Sequence, residues 1–402
     1  MSKKTQAAVL LISVAILMFV VAGVINVRAS GKDGAYPQME VYSEVLSRIQ
    51  SEYVEQPNIT KVTNGALHGL LESLDADSSF LTPEQYKEYE ERSKDAKANI
   101  GAAVSKRFGY ASVVSVIPGG PAAKAGLQDT DILESIGGES THDMSLAEIH
   151  SKLSGQPAST VTVEVVRATS ATPSKITLTR EIVAIPIVND KMMADGVGYI
   201  QADTLNKGKA QEIATRIKSL EKEGAKKLLL DLRDCAQGDE SEGVATANLF
   251  LNHGTIAYLQ GQKFPREAFN ADPAKAITTL PLGVMVNKGT AGAAEIVAAA
   301  ILGNGRGDVV GDKTFGEGSV QKTIELPDGS ALILSTAKYY SPDGKAIQDS
   351  AVTPNVLVAD NSDNVALDDD SGEAPAEDNA PKTPQTDQIL QKALEVLNRH
   401  AS

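Results

Sequence analysis

The chain has 402 residues, 42% of them hydrophobic, enough for two or three domains with a sizeable core. Its 38 Lys and Arg against 52 Asp and Glu give a net charge of -14. With no basic patch to neutralise phosphates, nucleic acid is excluded as a partner. The single Cys235 rules out an internal disulfide and is expected to be a small buried hydrophobe rather than a reactive thiol. His68, His142, His150, His253 and His400 show no metal-ligand spacing, so neither a metal nor a cofactor is expected.

Lys3 and Lys4 precede an uncharged apolar run over 5–27. Its length suits a bilayer span, and the flanking lysines favour a cytoplasmic N-terminus. The expectation is a signal anchor over 1–28: a single-pass inner (cytoplasmic) membrane protein with its bulk in the periplasm or outside the cell. A cleaved leader is the competing reading, with Val27-Arg28-Ala29 as a poor cleavage site.

Over 36–97 the apolar spacing is helical: Met39, Tyr42, Val45, Leu46, Ile49 and Tyr53, then Val62, Ala66, Leu67, Leu70 and Leu71. Thr82-Pro83-Glu84-Gln85 carries an N-cap, an N1 proline and a capping-box Gln. Nothing in this helical collar is chemical; docking or homo-oligomer formation is the role it suggests.

Over 98–187 the period changes to strands, at 111–117, 131–136, 161–167 and 175–179, with a helix over 145–153. Gly119-Gly120-Pro121-Ala122-Ala123-Lys124-Ala125-Gly126-Leu127, the strand Asp131-Ile132-Leu133 and the turn Gly137-Gly138 resemble a PDZ domain of the bacterial protease type. Such domains add an extended peptide to a strand edge and capture its terminal carboxylate on backbone N–H groups. The resemblance implies a capture loop at Asn99-Ile100-Gly101-Ala102 and an edge at Ala103 and Val104. It also implies a groove lined by Leu146, Ile149 and His150. For Ile149, a place in the core is an equally good reading.

Over 188–358 the pattern is α/β. Lys227-Leu228-Leu229-Leu230-Asp231-Leu232-Arg233 is a continuously apolar strand, as when both sheet faces are covered. A helix is expected over 245–251 and a strand over 255–259. Val284-Met285-Val286 then enters the turn Asn287-Lys288-Gly289-Thr290 and a small-residue helix, a junction where α/β proteins place nucleophiles. The stretch 359–384 is acidic and poor in apolar residues, as in Asp368-Asp369-Asp370, and is expected to be a disordered linker. A terminal helix over 385–402 carries Ile389, Leu390, Ala393, Leu394 and Leu397 and is suited to docking on the body.

This order, together with Leu74-Asp75-Ala76-Asp77-Ser78-Ser79-Phe80-Leu81 and Tyr339-Tyr340-Ser341-Pro342-Asp343-Gly344-Lys345-Ala346-Ile347-Gln348, resembles the carboxyl-terminal (tail-specific) processing peptidases. The implied fold class is α+β multidomain: anchor, collar, PDZ domain, ClpP/crotonase-like α/β peptidase core and acidic tail. Those peptidases use a serine nucleophile, a lysine base and a glutamine. Their pattern G-[ST]-A-S-A-S-E stands here as Gly289-Thr290-Ala291-Gly292-Ala293-Ala294-Glu295, with Gly292 at the nucleophile position. Their T-F-G-K-G-S-V-Q stands as Thr314-Phe315-Gly316-Glu317-Gly318-Ser319-Val320-Gln321, so Glu317 takes the place of the base and Gln321 is retained. Their D-L-R-x-N-P-G-G stands as Asp231-Leu232-Arg233-Asp234-Cys235-Ala236-Gln237-Gly238.

Two functions follow. One is a pseudopeptidase that binds C-terminal tails of proteins. The other is a serine-type peptidase with a displaced dyad, drawn from Thr290 or Ser319 with Lys313 or Lys322. A scaffold dimerising through the collar is compatible with the first.

Overall fold

Helical apolar spacing at the N-terminal end becomes α1 (Tyr36–Glu52) and α2 (Ile59–Glu72) in the computed structural model. The structure describes residues 36–95, 97–107, 109–167, 170–359 and 387–399. The chain divides into two compact units, 1–67 and 68–402. In the first, α1 leaves Met39, Val41 and Val45 exposed. The single-pass inner-membrane localisation expected from the sequence is corrected here. Among the described residues no helix is long and apolar enough to cross a membrane, so no single-pass anchor is evident. The apolar run over 5–27 and nearly all of the acidic stretch over 359–384 lie outside the described residues.

The second unit opens with β1 (Ser79–Leu81) and α3 (Pro83–Asp95). The α3 start is a reciprocal cap: Gln85 N–H donates to Thr82 Oγ1 (3.3 Å) and Thr82 N–H to Gln85 Oε1 (2.8 Å). Next come β2 (Ala102–Arg107), β3 (Tyr110–Val116), the short α4 (Pro121–Lys124), β4 (Ile132–Ile136) and β5 (Glu139–Ser140). After α5 (Leu146–Leu153) follow β6 (Thr160–Arg167) and β7 (Ser170–Thr179). These strands form one antiparallel sheet in the order β2-β3-β4-β6-β7, with β5 on β4. Val161, Val163 and Val165 point into its core while Thr162 and Glu164 do not, the period-2 alternation of a sheet covered on one face. A capping box between Ser145 and Glu148 starts α5.

The remainder is a three-layer α/β body. Its strands and helices are β8 (Asn189–Met192), β9 (Val197–Gln201), α6 (Lys209–Lys222), β10 (Lys227–Asp231), α7 (Glu240–Asn248), β11 (Thr255–Gln260) and β12 (Glu267–Asn270). They continue as β13 (Leu282–Val286), α8 (Ala293–Gly303), β14 (Asp308–Gly311), β15 (Ser319–Glu325), β16 (Ala331–Tyr340), β17 (Val356–Leu357) and α9 (Gln388–Arg399). The main sheet runs β17-β14-β13-β10-β9-β8 and is parallel except at β8–β9. Leu228 and Leu230 join the core that holds Ile213, Ile217 and Val297, whereas Leu229 faces Ile389, Ala393 and Leu397 of α9. Helices therefore cover both faces, which is why β10 is apolar without interruption. A second sheet, β1-β16-β11-β12 with β15 on β16, brings the collar strand onto the α/β body.

Candidate active site

The site grows from the end of β13. Asn287 Oδ1 accepts N–H groups from Gly289 (3.1 Å) and Asp234 (3.0 Å), and Thr290 Oγ1 accepts that of Asn287 (3.0 Å). The Thr290 hydroxyl donates to Leu232 O (2.8 Å) and is wholly buried, so it caps the turn. A Cβ on Gly289 would lie 2.5 Å from Asp234 Oδ1 and 3.1 Å from the Val114 carbonyl of β3; only glycine fits there. The turn ends at Gly292, with φ 59° and ψ -119°. This is the sharp strand-to-helix conformation that lifts a nucleophile out of a sheet. A Cβ on Gly292 would meet nothing within 4 Å. The elbow is formed, it faces open space, and it carries no side chain.

Glu295, one turn into α8, ties the elbow to the following loop. Its fully buried carboxylate accepts N–H groups from Gly292 (3.1 Å), Gly316 (2.8 Å) and Glu317 (2.7 Å), and the Thr314 hydroxyl. Burial pushes its pKa up to about 8 although these four donors favour the charged form.

That loop presents Glu317. Glu317 is more than a third exposed yet densely surrounded by protein. Burial, then the carboxylates of Asp77 and Glu240, push its pKa up to about 7, and its exposure to solvent screens part of that push. Beside it, Ser319 Oγ donates to Asp77 Oδ2 (2.7 Å) and accepts from Gln321 Nε2 (2.5 Å). Gln348 Nε2 also reaches Asp77 Oδ2 (3.2 Å), while Gln348 Oε1 accepts the Gly318 N–H (2.8 Å). Burial holds Asp77 above the usual carboxylate range. Lys313 and Lys322 stand exposed.

The structure thus gathers Gly292, Glu317, Ser319 and Gln321 with three residues to which sequence reasoning gave no role: Asp77, Glu295 and Gln348. All three lay within the quoted motifs. Only the β1–β16 pairing, which sets Ser79 opposite Ile333, reveals that a collar carboxylate reaches the core. Cys235 is buried, its carbonyl accepting the Ala291 N–H (3.0 Å), and burial first, then nearby carboxylates, hold its thiol far above the ordinary range. Asp231 accepts the Tyr199 hydroxyl (2.7 Å) and a two-pronged contact from Arg233.

In the PDZ domain, Asn99 Oδ1 accepts the Gly101 N–H (2.8 Å), and Gly101 has φ +71°. Ile100, Val104, Leu146 and Ile149 belong to the buried set, Ile149 at 0% exposure, whereas Ala102 and Ala103 are half-buried. His150 is exposed, and its Nε2–H donates to the Val104 carbonyl (2.7 Å). Crowding by protein lowers its pKa; that hydrogen bond and the Asp77 charge oppose the fall.

A parallel sheet with helices on both faces, an elbow after β13 and an accompanying PDZ sheet define a PDZ-bearing member of the S41 peptidase class. The sequence profile of Peptidase family S41 matches residues 196–358, and that of the PDZ domain matches residues 112–167. Carboxy-terminal processing protease CtpA of Bacillus subtilis is 32% identical over 316 residues, covering 78% of this chain and 67% of the relative. A carboxyl-terminal-processing protease of Synechocystis sp. is 31% identical over 318 residues, 77% of this chain and 74% of the relative. Among solved structures, the photosystem II D1 C-terminal processing protease superposes with a TM-score of 0.65 at 25% identity, over 80% of this chain and 92% of the other. The chain belongs to the carboxyl-terminal processing peptidase family.

Proposed function

We propose that this protein binds the C-terminal tails of other proteins through its PDZ domain and does not cleave them, as a pseudopeptidase of its family. One observation carries the reading: Gly292 occupies the elbow with no side chain, and the place expected for a lysine base holds Glu317. Acyl transfer needs an attacking hydroxyl and a neutral base within hydrogen-bond reach, and loss of the nucleophile alone removes most of the catalytic advantage. A carboxylate among carboxylates could accept a proton, but at Gly292 there is no hydroxyl to supply one.

The test is to incubate the purified protein with unfolded substrates ending in apolar tails. Substrate is followed by mass spectrometry and tail binding by fluorescence anisotropy. Binding without fragments is expected, and accumulating fragments would overturn the reading. Gly101→Trp should abolish binding, because the positive φ and Pro121 Cδ at 3.2 Å from a Cβ leave no room for a side chain in that loop; unchanged affinity would show that tails dock elsewhere.

A second reading has one observation in its favour. The Ser319 hydroxyl is bonded to a carboxylate of raised pKa, Asp77, and to the amide of Gln321. A displaced serine with a carboxylate base predicts cleavage that disappears in Ser319→Ala. For Thr290 no comparable support exists, since its hydroxyl is committed to the turn.

A further inference from the structure

Arg180 follows β7 and is only 9% exposed. Its Nη1 donates to Ser159 Oγ (2.9 Å) and Thr160 O (3.0 Å), and its Nη2 to Lys152 O (2.6 Å) in the last turn of α5. All three acceptors are neutral. The buried Nε–H has no acceptor among the described residues, and one Nη2 hydrogen is left over once Lys152 O is served. Burial first, and second the like charge of Arg92 of α3, which is itself paired with Glu88 and donates to Ser151 O (3.3 Å), hold the Arg180 pKa below the ordinary value. A buried charge without a counter-ion is unfavourable, so a native arginine in this state points to a missing anion.

The space around it agrees. Arg92 and Arg180 both line two cavities, of about 530 Å³ and about 460 Å³, between α3 and the PDZ sheet. Lys152 and Lys175 also line the larger one. Its two carboxylates are already engaged, Glu139 by Lys152 (2.9 Å) and Glu164 by Lys175 (3.4 Å). The larger cavity thus sets four cations against two paired carboxylates, in a chain whose net charge is -14. In the smaller one Glu88 is paired with Arg92 and Glu91 with Lys87 (4.0 Å), which leaves Arg180 as the lining guanidinium without an ion pair among the described residues. We propose that the larger cavity binds a small oxyanion ligand, one bearing phosphate or carboxylate groups, held between Arg180 and Arg92. The planar guanidinium fork suits both groups, and the volume admits a molecule larger than a single ion. None of Gly292, Glu317, Ser319 and Asp77 lines these cavities, so the inference stands apart from the reading of that site.

The whole protein is titrated with inorganic phosphate and, separately, with citrate, each against sodium chloride at matched ionic strength. Binding is read by calorimetry and by the melting temperature. A saturable heat and a rise in melting temperature are expected with at least one of the two. Response to phosphate alone assigns a phosphate-bearing ligand, and response to citrate alone a polycarboxylate. Arg92→Met, on a partly exposed helix face, should weaken binding roughly ten-fold, one charge-assisted contact being lost. Arg180→Lys keeps the charge, loses the fork and should weaken it as well. If phosphate and citrate both act no differently from chloride, or if both variants bind as the wild type does, the proposal fails.

Discussion

Glu295 is the residue on which the geometry of the elbow depends, because three backbone N–H groups from two segments converge on one carboxylate. Its raised pKa makes a signed prediction. Below the ordinary Glu value both folded and unfolded chains carry the proton, and its stabilising effect is fully present. As pH rises toward about 8, the unfolded chain releases a proton that the native chain retains, so stability declines through that window. At about 1.4 kcal/mol per unit, the decline is on the order of a few kcal/mol. Urea unfolding of the wild type between pH 5 and pH 8 should show this slope, and Glu295→Gln should make it shallower, leaving the smaller decline that Glu317 adds in the same window. A wild-type profile that rises over the same window would mean that the four donors outweigh burial. Glycine is needed at Gly289 for a different reason, close approach: any Cβ there strikes Asp234.

At the scale of elements, α9 shows how a distant segment completes the body. Ile389, Ala393 and Leu397 cover Tyr199, Leu229 and Met285, and Arg233 Nη1 reaches both oxygens of Asp387 (3.0 Å each) just before the helix. Leu397→Ala should cost about 2–4 kcal/mol by transfer and cavity terms, seen as a lower denaturation midpoint with an unchanged slope; a loss under about 0.5 kcal/mol would mean the helix does not hold the sheet. The amphipathic spacing of α9, the Leu run of β10 and the capping signal of α3 were all legible in the sequence, because each is a local pattern. The polar edge strand β8, with its Asn-Asp-Lys start, was not, since β9 supplies its pairing. The start of α7 at Glu240 was hidden by Gly243, which signals a loop. In the fold that glycine permits α7 and α8 to approach, as a Cβ would lie 2.4 Å from Ala293 O. The site was legible only as aligned positions. Asp77 and Ser319 are 242 positions apart, and no periodicity announces a contact of that separation.

For the molecule as a whole, the question is what a serine and a lysine would meet at the two positions that here hold Gly292 and Glu317. A serine at Gly292 has free space for its Cβ, and the positive φ costs a non-glycine residue about 1–3 kcal/mol. The harder replacement is the base. A lysine at Glu317 would stand beside Asp77 and Glu240, whose charges favour the ammonium over the neutral amine that a general base requires. The Gly292→Ser, Glu317→Lys double variant should therefore cut apolar-tailed substrates slowly, with a rate that climbs toward alkaline pH. Removing one neighbouring charge with Asp77→Asn should shift that climb to lower pH, since the lysine then loses its proton more readily. Rates measured across pH for the double and triple variants decide the matter. A triple variant whose profile matches the double, or moves to higher pH, would mean that Asp77 does not set the electrostatics of the site. A shift to lower pH would mean that the surrounding charges, as well as the side chains at positions 292 and 317, set how readily a lysine there could act as a base.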